Sequence, residues 1–336
     1  MTQTIAGLKP GAAVLAEAGH ALLAAHQYVS ANELLKLAEA AGPSPAIELD
    51  LATTAFGQGD PAKGLELLDR TPESARDGDY YLSRAEMLDA SGKSQDALRA
   101  LEQAVGTGAQ RPDRYRRAAV FLLGKGQAPE AAQLLHRAAG ALPDNREILL
   151  IEAATAELAG KSDEAEHSLA GIQNRWPEWQ TAWAAHGMIL DIHRHFEEGR
   201  KTLETAVALG ASGPEVYFYL ADGALRSGAP NSGNAAAEAA IGKALDQAPA
   251  DAWIQALAGR IALERGDYAL SVKRLREAIR LRPAFVQAHR DLARAYRASG
   301  RAGEAQTELE EAAGLEKTSS NAGEDPPYLL RLVIGR

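Results

Sequence analysis

Residues 252–285 read AWIQALAGRIALERGDYALSVKRLREAIRLRPAF. The stretch predicts two helices joined by a tight turn at Gly266, where a left-handed cap suits glycine better than any other residue. Gly259 in the first helix and Ser271 in the second are small, so the two backbones can cross closely. Leu275 and Ala278 lie three residues apart and therefore share one face of the second helix. Pro283 stops that helix and turns the chain into whatever follows.

The same pattern recurs along the chain. Pro143 and Pro177 are 34 residues apart, as are Pro249 and Pro283. That step also aligns Gly92, Gly126 and Gly160, then Gly266 and Gly300, and it aligns Leu101, Leu135 and Leu169. Nine units result, starting at Ala12, Pro45, Gly78, Pro112, Arg146, Gln180, Pro214, Ala252 and Val286. Position 8 is Gly or Ala in all nine, and position 20 is always small. Position 24 is Leu in eight units and Ile241 in the other, and position 27 is Ala in seven, with Thr71 and Ile172 as departures. One helix pair cannot bury its apolar face alone, so stacked pairs must supply the core.

This register resembles the tetratricopeptide repeat family, over residues 12–317. The resemblance implies an all-α, right-handed superhelical solenoid of helix-turn-helix repeats. Residues 1–11 are then a lead-in, and residues 318–336 a linker and short apolar C-terminal tail.

Composition agrees with that fold and narrows the function. Alanine accounts for 70 of 336 residues and aromatics for only 5%, so the core must pack many small side chains, in the residue type that most favours helix. The chain has no cysteine, which excludes disulfides, thiolate metal sites and a cysteine nucleophile. No apolar run is long enough to span a membrane, and the start MTQTIAGLKP lacks the basic region of a signal peptide. The expected location is cytoplasmic by default, or periplasmic or exported if a leader has been removed. The alanine-rich, cysteine-free usage resembles that of a high-GC bacterium. No phosphate-binding loop, nucleophile elbow or HExxH motif occurs, so no catalytic residue, no enzyme activity and no cofactor are expected. His186, His193 and His195 lie close to Asp191 and form the one conceivable metal cluster, set against the plainer reading that they are packed or solvated. Trp183 is expected in the core, and Trp176 and Trp179 under the turn at Pro177.

In the tetratricopeptide family the first helix of each repeat lines a concave groove, chiefly through positions 2, 5, 9 and 12, and the groove takes a peptide or helix of another protein. Those positions supply Asp79, Glu86, Asp89, Glu147, Glu157 and Asp191 in repeats 3, 5 and 6, an acidic middle broken by Arg116 in repeat 4. Repeats 7–9 supply Phe218, Asp222, Trp253, Arg260, Gln287, Arg290, Arg294 and Arg297. Net charge follows the same division. It is −9 overall, but residues 252–317 hold 12 basic and 9 acidic side chains. Arginine forks suit carboxylates, and aromatic faces are favoured anchors. The expected function is therefore a non-catalytic interaction scaffold whose C-terminal groove takes an acidic or C-terminal peptide segment. The plainer alternative pairs these arginines with Asp222, Glu264 and Asp291. No repeat combines Lys at position 5 with Asn at position 9, so the family's carboxylate clamp for chaperone C-termini is not matched.

A net acidic chain argues against nucleic acid as the partner. Other readings are an accessory arm of a multi-protein enzyme or envelope assembly, or a structural protein that self-associates through its tail. Two departures bear on these readings. Repeat 7 carries about four extra residues within Gly228–Ala235, either loop drift or a partner-contacting loop. The tail segment Tyr328–Ile334 is apolar enough to dock, with the last helix as its expected seat.

Overall fold

The computed structural model describes residues 11–106, 111–227, 232–318, 328–329 and 331. Eighteen α-helices occur among them, and no strand. In chain order they are α1 (Ala12–Ala24), α2 (Tyr28–Ala41), α3 (Pro45–Gly57), α4 (Pro61–Leu68), α5 (Gly78–Ala90) and α6 (Ser94–Gly106). Then come α7 (Pro112–Gly124), α8 (Ala128–Ala141), α9 (Arg146–Leu158), α10 (Ser162–Arg175), α11 (Gln180–Ile192) and α12 (Phe196–Ala208). The last six are α13 (Pro214–Arg226), α14 (Ser232–Gln247), α15 (Ala252–Glu264), α16 (Tyr268–Leu281), α17 (Val286–Ala298) and α18 (Ala302–Thr318). The odd-numbered helices begin at the nine residues that open the sequence repeats. The helices α1, α3, α5, α7, α11, α13, α15 and α17 each pair with the even-numbered helix that follows. Contacts divide the chain into two units, residues 1–148 and 149–336, with the division inside α9.

Local chemistry sets the helix ends. Pro opens α3, α4, α7 and α13 at the first turn, where its missing N–H costs nothing. Carboxylates cap others: Asp77 accepts from the Tyr80 N–H at 3.1 Å, and Asp251 from the Trp253 N–H at 2.9 Å. The turn glycines Gly59, Gly92, Gly126, Gly160, Gly266 and Gly300 all have positive φ. Repeats 1 and 6 hold the same conformation without glycine, at His26 (φ 57°) and Arg194 (φ 66°). A side chain there costs about 1–2 kcal/mol, so the stacked helices on either side impose the turn.

Each repeat's core follows the register. Position 24 is fully buried at Leu35, Leu68, Leu135, Leu169, Leu203 and Leu275. In residues 1–148 the first helix pairs bury Leu34, Leu35, Leu51, Leu68 and Met87 together. In residues 149–336 one cluster runs from Leu150 to Ile261, and a second joins Leu275, Phe285, Leu292 and Tyr296. Small residues make the crossings possible. A Cβ added at Gly187 would lie 2.6 Å from Leu203 Cγ and 3.1 Å from the Gly199 carbonyl. Repeat 2 departs at position 27: α4 is only eight residues long. The helix ends before Pro72, and buried Thr71 donates its hydroxyl to Glu48 at 3.1 Å instead of packing as the usual alanine.

Two expectations change here. Ser232–Ala235, read from sequence as part of a loop, belongs to α14 and lengthens that helix to 16 residues; Gly228–Asn231 lies outside the described residues. Tyr328 and Leu329 are buried, but their seat is not the last helix. Tyr328 packs edge-on against Phe218 and Tyr219 of α13, because an aromatic cluster gains more from a third ring than from a helix flank of alanines.

Two alanine substitutions test the crossing geometry. Gly187→Ala drives a methyl into Leu203, which has no room to yield, and should lower stability by about 1–3 kcal/mol. Gly171→Ala, on α10 with nothing within 4 Å of the added carbon, should raise it by about 0.4–1 kcal/mol. Thermal melts followed by circular dichroism read both, and equal shifts would remove the packing explanation.

Candidate protein-binding groove

Within residues 149–336, the first helices of repeats 6 to 9 (α11, α13, α15 and α17) wall a cavity of about 780 Å³. Its apolar side holds Phe218, Trp253 and Phe285. Trp253 and Phe285 meet edge to face, with centroids 4.4 Å apart, and the Arg282 guanidinium lies over the Trp253 ring. The polar side is a chain of ion pairs. Asp222, 7% exposed, takes Arg226 Nε at 2.7 Å, and the Arg260 guanidinium stands 3.9 Å from its Oδ1. Arg260 Nε donates to Asp291 Oδ2 at 3.0 Å, and Asp291 is only 1% exposed. Arg294 donates to Asp291 Oδ1 at 3.2 Å and to Glu264 at 2.9 Å. These hydrogen bonds, that to Glu264 above all, outweigh desolvation and hold the Arg294 guanidinium above its ordinary pKa.

Of the eight sequence candidates, six line this cavity: Phe218, Asp222, Trp253, Arg260, Gln287 and Arg294. The other two do not. Arg290 turns to Glu316 on α18, and Arg297 is exposed on α17 away from the cavity. The pairing with Asp222, Glu264 and Asp291 is present, so Arg226, Arg260 and Arg294 are neutralised in place. They are not a free basic patch. Sequence reading missed Phe285, Arg226 and Asn234, which lie at inter-repeat turns or helix ends outside positions 2, 5, 9 and 12. Asp222 Oδ1 is buried without a hydrogen-bond partner among the described residues.

In the acidic middle, Asp79, Glu86, Asp89 and Glu157 are neutralised in the same way, by bases about one repeat further on. In residues 1–148, Arg114 donates to Asp77 at 2.8 Å and to Asp79 at 3.0 Å. Its hydrogen bond keeps the Asp79 carboxyl below the ordinary carboxylate pKa despite partial burial. Glu86 pairs with Arg117, and Asp89 with Lys125. In residues 149–336, Glu157 pairs with His193 at 2.9 Å.

The histidine cluster separates by the same pairing. His186 contacts Gln173 at 3.1 Å, whereas His193 contacts Glu157 at 2.9 Å and Glu166 at 3.3 Å. His195 lies edge-on to His193, with centroids 6.5 Å apart, and no group of three or more His, Asp or Glu placed to hold a metal occurs among the described residues. Trp176, Trp179 and Trp183 are half-buried against the core, and Trp183 Nε1 donates to the Pro177 carbonyl at 2.8 Å.

Family models describe residues 49–113 and 262–322 as tetratricopeptide repeat. The chain carries tetratricopeptide repeats. Such repeats generally serve as non-catalytic scaffolds for protein interaction. Solved structures with the same fold include Cut9 in the APC/C heterotetramer Cut9–Hcn1, at 17% identity and TM-score 0.59, covering 90% of this chain and 58% of that one. Yeast Tom70 has 16% identity and TM-score 0.55, covering 90% and 61%. Human IFIT1, crystallised as a dimer with m7Gppp-AAAA, has 19% identity and TM-score 0.53, covering 82% and 70%. The chain thus spans about three fifths of the Cut9 and Tom70 chains. Comparison with curated proteins gave no match. No helix of the described residues is long and apolar enough to cross a membrane.

The His193 contacts carry a pH dependence. Burial pulls its pKa down, but the hydrogen bonds to Glu157 and Glu166 outweigh it and leave it raised above 6.5. The protonated form is therefore favoured in the folded state. Its contribution is fully present below the unfolded pKa of 6.5 and fades as pH rises through the higher folded value. His193→Gln should lower the melting temperature more at about pH 6 than at about pH 9. An equal loss at both would show that the ring acts by packing alone.

Proposed function

We propose that the cavity of repeats 6–9 binds an extended acidic segment of another protein. Aromatic anchors and arginine forks share its wall: Trp253 and Phe285 give an apolar face, and Arg294, on the same cavity, has its side chain 55% exposed. A partner's carboxylate takes the outer Arg294 nitrogen in place of Glu264, which is itself 43% exposed and gives up little on returning to water. Asn234 and Gln287, whose amides both donate and accept, flank the cavity and suit a peptide backbone. Five arginines against four carboxylates line the cavity, a surplus of one that fits an anionic segment. The observation that carries the reading is the placement of exposed Arg294 on the rim of an aromatic-lined cavity.

A phage-displayed random peptide library selected on the full chain tests this. Selection should enrich segments that carry both an acidic and an apolar residue. Their affinity should fall about 10–100-fold for Arg294→Ala, the worth of a charged hydrogen bond, and also for Trp253→Ala. Arg297→Ala, off the cavity, should leave it unchanged. Peptides without acidic residues, or equal loss with Arg297→Ala, would overturn the assignment.

A further inference from the structure

A second docking surface lies where α13 meets the N-terminus of α15, and it already holds a ligand. Tyr328 is fully buried there and Leu329 nearly so. The Tyr328 ring meets Phe218 at 5.0 Å and Tyr219 at 6.2 Å between centroids, edge-on to both. Its hydroxyl donates to Asp251 Oδ1 at 2.6 Å, the oxygen that also caps α15. Arg331 lies over the same ring at 5.1 Å, with its guanidinium 3.5 Å from Asp251 Oδ2. Burial, reinforced by the Asp251 carboxylate, raises the Tyr328 pKa well above the ordinary tyrosine value, so the hydroxyl remains a donor.

We propose that this surface is a tyrosine-reading peptide site, specific for a tyrosine followed by leucine and then, three residues after the tyrosine, by arginine, and that Tyr328, Leu329 and Arg331 are its resident, displaceable occupants. The pocket reads three chemical features separately. Phe218 and Tyr219 take the ring, half-buried Asp251 selects a hydroxyl over phenylalanine, and its second oxygen selects a cation after the tyrosine. A segment held by two short stretches of contact and tethered to its own site competes at about millimolar effective concentration. A partner segment of the same pattern therefore enters only by displacing the tail. The proposal does not rest on the acidic-segment reading: Phe218 and Tyr219 also line the cavity, but the charge-selecting groups differ, Asp251 here and Arg294 there, and the ligand chemistry is of opposite charge.

The test titrates a fluorescein-labelled peptide of residues 325–336, DPPYLLRLVIGR, into the full chain and into its Tyr328→Ala variant. The peptide should bind Tyr328→Ala at least about tenfold more tightly than the unaltered chain, because the tethered competitor is weakened. A peptide with phenylalanine in place of the tyrosine should lose about tenfold or more. So should Asp251→Asn placed in the Tyr328→Ala background, where Asn still caps α15. Equal binding to the two chains, or no loss with the phenylalanine peptide, overturns the proposal. If Tyr328→Ala lowers the melting temperature yet binds no peptide, the tail is a fixed structural cap and the proposal fails. Dimers of the unaltered chain in light scattering that vanish in Tyr328→Ala would place the tail on a second copy and overturn the resident-occupant assignment.

Discussion

Close approach of paired helices at small residues is the contact on which the rest depends. At Gly187 and Gly199 each glycine would drive an added carbon to about 3 Å from the other's carbonyl. Alanines occupy the equivalent crossings at Ala85 with Ala97, Ala119 with Ala131 and Ala153 with Ala165, all essentially sealed from solvent. Only when the backbones are this near can a single leucine at position 24 fill the space between helices, and only then does the turn fall into a left-handed residue. That Arg194 and His26 accept positive φ shows which constraint wins: packing sets the turn, and the turn residue adapts. The alanine content of the chain is the composition-level trace of this geometry.

Stacking first helices side by side also brings their charges together at intervals close to one repeat. Asp79 with Arg114, Glu86 with Arg117, Glu157 with His193 and Glu264 with Arg294 are all such pairs. Buried members such as Asp291 and Arg114 need these partners, since an isolated charge there would cost several kcal/mol. Exposed members such as Arg294 and Glu264 contribute little to stability. They are the ones whose partner can be exchanged for a ligand at small cost. The ladder thus holds the groove together at its base and leaves it open to exchange at its rim.

Most of the fold was legible in the sequence, because nine copies of one register reinforce each other where a single motif would be ambiguous. Helix starts, turns and the buried small positions all follow from it. The site was legible only in part. Stepping by the period identified Phe218, Trp253, Arg260 and Arg294, since helix position fixes the face. It could not show that Arg290 turns to α18, a second helix whose outer side the period does not describe. Nor could it pair the arginines with Asp222, Asp291 and Glu264, because spacing shows adjacency without showing which rotamer closes. The seat of Tyr328 was invisible for a different reason. It depends on a cluster of three aromatic rings and on the Asp251 cap, assembled from residues 77 positions or more from the tail. No repeat register extends that far into the C-terminal segment.

On the proposed reading, a partner protein engages the inner wall of the last four repeats and not the outer helices. Because the chain has no cysteine, single cysteines report this without background. Thiol labelling of Gln287→Cys, on the cavity wall, and Lys273→Cys, exposed on α16, should be measured with and without the selected acidic peptide. Protection of Gln287→Cys with unchanged labelling of Lys273→Cys is the expected result. Protection of Lys273→Cys instead, or of both equally, would contradict it.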